Sequence, residues 1–73
     1  NTPEIAEAVS AHKARFVARI RAIVAGDLGR DDAQLAEQIL ILIEGAAHAA
    51  VYRGPGTIAA ARAAAATLMD ARR

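Results

Sequence analysis

The chain has 73 residues, no cysteine, only two aromatic residues and a formal net charge of +1, from nine Lys and Arg against eight Asp and Glu. This length allows one small domain with little buried area, and the missing cysteines exclude disulfides and thiolate metal sites, leaving oligomerisation or further parts of the same protein as its support. The near-neutral charge offers no basic stripe of the kind a DNA-binding domain presents, and no charged segment followed by an apolar run and a cleavage site marks a secretory leader.

The chain opens at Asn1 rather than Met, so it reads as part of something longer. Thr2-Pro3 has the form of a helix start, with a hydroxyl at the cap and a proline where its missing N–H is harmless. Ile5, Val9, Phe16, Ile20 and Ile23 follow at three- and four-residue steps and share one face. Glu7, Arg15, Arg19 and Arg21 lie mostly off it. Gly26 is the expected stop, with Gly29 a second break, which predicts a first helix over about 3–25. The short loop that follows predicts an antiparallel return.

The second helix is predicted over about 32–53, opened by Asp31 with Gln34 three residues on, a variant of the capping box. At about 100° per residue, ten of its apolar side chains from Leu35 to Val51 cover roughly 200° of the wheel, twice the stripe of a helix with one buried side. Gln34, Glu37, Gln38, Glu44, His48 and Tyr52 hold the remainder, with Ile41 and Gly45 among them. At least two neighbours are needed to cover such a helix. Gly45 forfeits about 1 kcal/mol of helix propensity against alanine, and with the alanines beside it this predicts close approach of another helix or of a ligand. The polar interruptions make Ala33–Val51 too broken for a membrane span, so the chain is expected to be soluble.

Arg53-Gly54-Pro55-Gly56 punctuates the chain. A third helix is predicted over about 57–72, with Ile58, Ala61, Ala65, Leu68 and Met69 on one side and Arg72-Arg73 at its negative end. No strand-like alternation appears. The predicted class is all-α: three antiparallel helices in one unit, residues 1–73.

From Asp31 to Arg73 the pattern resembles the C-terminal end of TetR-type transcriptional regulators. Leu35-Ala36, Leu42, Glu44-Gly45-Ala46 and the alanine-rich run Ala61–Leu68 carry the resemblance, and the first helix resembles the one that precedes them in such proteins. The resemblance implies a bacterial, cytoplasmic repressor. In it, the last two helices pair with those of a second copy in a four-helix bundle, an upstream helix-turn-helix domain reads operator DNA, and middle helices hold a small-molecule effector. No helix-turn-helix segment lies within these residues, so no DNA-binding residue is assigned. The expected homodimer interface comprises Leu35, Ile39, Leu42, Gly45, Ala46 and Ala50 of the second helix with Ile58, Ala61, Ala65 and Leu68 of the third. Candidates for an effector pocket are His12, Phe16, Glu37, Glu44 and His48.

Chemistry is otherwise sparse. Glu44 and His48, four apart, with Glu37 two turns earlier, do not make the Glu and His three apart, repeated on a second helix, that di-metal bundles use, so no metal and no cofactor are expected. Ser10, Thr57 and Thr67 lack the nearby base and carboxylate of a nucleophile site. Gly54-Pro55-Gly56 follows a helix and lacks the lysine of a phosphate loop. No enzymatic activity is expected of these residues. The alternatives are a stand-alone helical scaffold module and a fragment of an all-α enzyme with its active site upstream.

Overall fold

The computed structural model describes residues 2–73 and places them in three helices with no strand among them. They are α1 (Thr2–Leu28), α2 (Ala33–Arg53) and α3 (Gly56–Arg72). The class is all-α, as the periodicity implies.

Both helix boundaries at the first turn differ from the sequence reading. α1 runs through Gly26 and ends at Leu28. Gly26 tolerates helical geometry, whereas Gly29 adopts φ +78° and its N–H reaches Ala25 O at 2.8 Å, closing the helix in the left-handed conformation that glycine allows. The cap of α2 is Asp32, not Asp31: its Oδ1 accepts from Leu35 N at 3.0 Å and its carbonyl from Ala36 N at 3.1 Å. Asp31 instead turns back to α1 and pairs with Arg21. At the second turn Gly54 (φ 86°, ψ 177°) occupies a region nearly restricted to glycine. Thr57 Oγ1 lies 3.2 Å from Ala46 O and 3.1 Å from Gly54 O, so its proton ties the start of α3 to the body of α2.

α2 is the middle helix. Leu35 and Ala36 are fully buried, and Leu40 nearly so, against Ile20 and Val24 of α1. Phe16, Val17, Leu28, Ile39, Leu68 and Met69 pack around this core half-buried. The core therefore sits at the end of the layer where α1 turns into α2. Polar contacts lock the same end. Arg72 lies 3.6 Å from Asp32, Arg73 pairs with Asp27 at 2.5 Å, and Arg30 donates to Arg72 O. The two C-terminal arginines thus act across the tertiary structure, beyond the local helix-dipole role expected of them.

Toward the opposite end the helices part. Residues 2–15 of α1 are all exposed, including Ile5 and Val9, and past the Lys13–Glu44 pair (3.6 Å) Ala47, Val51 and Tyr52 of α2 are exposed too. The result is a thin layer measuring 45 × 32 × 14 Å. Its radius of gyration is 14.0 Å, against about 11 Å for a compact chain of this length. Against the expectation that its polar interruptions rule out a membrane span, α2 is by length and composition alone apolar enough to cross a membrane; here it lies flanked by α1 and α3.

Candidate interface and effector residues

The wide apolar sector of α2 meets two neighbours, as its width demands, but they do not cover it. At 100° per residue, the side carrying Leu35 and Ala46 faces α3 and the side carrying Ala36 and Leu40 faces α1. Two open surfaces remain, one on each side of the layer.

The first is a groove of about 450 Å³ between α2 and α3, on the side away from α1. Ile41, Gly45, Ala49 and Tyr52 form one wall and Ala60 and Ala64 the other. Steps of four, four and three residues align the α2 members along one edge. Helical register had set Ile41, Gly45 and Tyr52 with the polar residues; the structure shows that this edge is an apolar rim because α3 stops short of it. A Cβ added at Gly45 would meet nothing within 4 Å. Within one chain, therefore, no close helix approach accounts for this glycine.

Of the expected interface residues, Leu35 and Ala46 are buried inside the chain's own α1–α2–α3 contacts. Leu68 is half-buried beside the core, and Ile39 lines the opposite side of the layer with Met69. Leu42, Gly45 and Ala61 line the groove. Ala50 and Ala65 are half-buried and Ile58 is exposed. With Ala46 at its floor, the groove thus gathers four of the ten, and it adds Ile41, Ala49, Tyr52, Arg53, Thr57, Ala60 and Ala64. Their signal in the sequence is the small-residue spacing of Gly45 and Ala49, and of Ala60 and Ala64, four apart on each helix.

The effector candidates divide. His12 and Phe16 line a shallow hollow of about 260 Å³ with Arg15 and Arg19 along α1. Glu37, Glu44 and His48 lie on the exposed edge of α2, which helical register sets on the other side of the layer. Glu44 pairs with Lys13, and His48 meets the Tyr52 ring edge-on with centroids 5.9 Å apart. No group of three or more His, Cys, Asp or Glu able to hold a metal ion occurs among the described residues. The structure does not bring the five together.

The second open surface is a hollow of about 320 Å³ on the other side of the layer, where Ile20, Ile23 and Asp27 of α1 meet Ile39 and Ile43 of α2 and Met69 of α3.

Compared with protein-family models, curated proteins and solved structures, the chain matches none.

Proposed function

We propose that this chain is the dimerisation and effector-sensing portion of a TetR-like transcriptional repressor. Two copies join through the α2–α3 groove into a four-helix bundle, and the DNA-reading domain lies upstream. In this reading the protein is bacterial and cytoplasmic, is not an enzyme, and carries no cofactor.

The observation that carries the reading is the groove itself, an apolar channel whose rim holds a helical glycine with open space beside it. A twofold interface is self-complementary, so a residue near its axis meets its own copy, and Gly45 leaves room for a second backbone there. Area agrees. The chain exposes 5198 Å², whereas a compact folded chain of its 7.6 kDa would expose about 4300 Å².

Sedimentation equilibrium tests the reading. Gly45→Arg and Ala60→Arg place charge on the exposed rim without entering the chain's own core, and a guanidinium buried without a partner is expensive. Wild-type chain is expected to sediment as a dimer at micromolar concentration and each variant as a helical monomer. Dimers unchanged in both variants would place the interface elsewhere. Ala46→Arg is unsuitable, because Ala46 lies inside the chain's own packing. Upstream of this segment the reading expects a basic three-helix unit. An immediate start codon would favour the scaffold module, and acid/base or metal motifs there the enzyme fragment.

A further inference from the structure

No residue of α3 is fully buried. Ala61, Ala64, Ala65, Leu68 and Met69 are half-buried, and only Leu68 and Met69, near the C-terminal end, are large enough to bury much apolar area. Polar contacts gather at that same end. Arg72 lies 3.6 Å from the Asp32 carboxylate and 3.5 Å from the amide oxygens of Gln34 and Gln38, in the first half of α2. Arg73 reaches Asp27 of α1 at 2.5 Å, and Arg30, in the turn between α1 and α2, donates to Arg72 O at 2.5 Å. Two consecutive arginines thus join α3 to both other helices. Arg72 and Asp32 are half-buried, and Arg30, Arg73 and Asp27 are exposed.

The other end of α3 is built differently. Gly54 and Pro55 alone separate it from α2. Gly54 stands at φ 86°, ψ 177°, and a Cβ added at Gly54 or Gly56 would meet nothing within 4 Å. The turn is therefore uncrowded, and the Thr57 bond to Ala46 O beside it fixes a pivot. Eight of the 17 residues of α3 are alanine, the best helix former. This helix depends less than most on its neighbours for its shape.

We propose that α3 is a lever hinged at Gly54–Gly56 and closed by an ion-pair clasp, Arg72 to Asp32 and Arg73 to Asp27, which opens as ionic strength rises. Salt screens pairs at exposed and half-exposed sites. The apolar contacts that remain are confined to Leu68, Met69 and a row of alanines. Ala60, Ala61 and Ala64 form one wall of the groove beside α2, so the state of the clasp sets the width of that groove. The motion lies within one chain and does not rest on the dimer.

The chain has no cysteine, so spin labels can be placed singly on α1 and α3 through Ala22→Cys and Ala66→Cys, both exposed sites. Double electron–electron resonance then reads the distance between the two helices. Labelled chain is diluted in an excess of unlabelled chain, so that only pairs within one molecule contribute. At low salt one short component is expected to dominate. Arg72→Gln with Arg73→Gln is expected to raise the ratio of a second, longer component by about tenfold. Sodium chloride at about 1 M should do the same to the unaltered clasp, with ellipticity at 222 nm retained in both cases. Arg73→Glu is expected to open the lever likewise, and Asp27→Lys added to it to close it again. Arg62→Gln, on the same helix but outside these contacts, is expected to change nothing. An unchanged distance in the double variant and in high salt would overturn the proposal. So would opening accompanied by loss of ellipticity, which would mean that α3 melts and does not swing. Equal opening by Arg62→Gln would also overturn it, by reducing the clasp to an effect of net charge.

Discussion

Leu35 is the residue on which the three helices converge. It has no exposed surface, and its backbone N–H is the one that the Asp32 cap satisfies. Truncation to alanine removes packing from a core that holds few other large side chains, so Leu35→Ala is expected to cost about 2–5 kcal/mol. For a chain this small that suffices to unfold the monomer, and loss of the ellipticity minimum at 222 nm would register it. Phe16 differs. Full burial would put Phe16→Ala at about 3 kcal/mol or more, but the ring is only half-buried, so a smaller shift in denaturant midpoint is expected from the chain alone. At the first turn, Asp32→Ala is expected to cost about 1 kcal/mol as a lost cap, whereas Asp32→Asn keeps the cap and loses only the ion pair with Arg72. Equal midpoints for the two variants would show that the cap contributes nothing. Its neighbour Asp31 accepts hydrogen bonds from Arg21, which hold its carboxyl below the ordinary range. The folded carboxyl takes up a proton less readily than the unfolded one. The pair therefore supports the fold above the usual carboxylate range, and that support fades as pH falls through the folded value. Thermal midpoints of wild type and Asp31→Asn should thus converge on acidification. At neutral pH, added salt should narrow the gap between them, because both groups are exposed.

Among the elements, α2 determines most of the arrangement. Its apolar residues demand two neighbours, its small residues admit them, and its two ends are closed by different chemistry. Gly45 provides a test at this scale. In the isolated chain an added Cβ meets open space, so Gly45→Ala is expected to raise monomer stability by about 0.5–1 kcal/mol through helix propensity. If a second backbone approaches there, the same substitution should weaken the dimer. Measuring the thermal midpoint at low and high protein concentration separates the two effects, and a dimer strengthened by Gly45→Ala would contradict the proposed axis. α1 is divided along its length. Its C-terminal half carries Ile20 and Val24 into the core, while its N-terminal half stands free, since a 27-residue helix of about 40 Å outreaches its contacts with α2. Amide exchange in residues 2–15 is accordingly expected to be fast compared with residues 17–25. Equal protection along α1 would show that something covers its free half.

At the scale of the whole molecule the governing fact is thinness. A layer 14 Å deep has no interior away from its single end core, so both sides of α2 remain partly open. Small-angle scattering from a monomeric variant such as Gly45→Arg should return a radius of gyration near 14.0 Å and not the ~11 Å of a compact chain. Collapse to the smaller value would mean that the free half of α1 folds back onto the layer. Charge at this scale bears on nucleic acid. With a net charge of +1 and no reading helix, the chain alone is expected to bind operator-length duplex only weakly, and salt should abolish that binding. Sequence-selective binding by these 73 residues would remove the reason to place DNA reading upstream.

Periodicity by itself determined that the chain is three helices with short turns, because a 3.6-residue repeat interrupted by glycine and proline admits no other regular structure. The width of the α2 stripe likewise required two neighbours. Boundaries and faces were another matter. Gly26 and Gly29 look alike as helix stops, as do Asp31 and Asp32 as caps. The choice fell to which backbone reaches positive φ and which carboxylate Arg21 draws away. Leu35, Ile39 and Ile41 are equally apolar on paper, yet the first is buried, the second lines the hollow beside Met69 and the third rims the groove. A helical wheel gives the direction of each side chain but not the position of the next helix. That position depends on packing across the core and on Arg72 and Arg73 reaching Asp32 and Asp27, contacts between residues some forty positions apart that only the folded chain brings together.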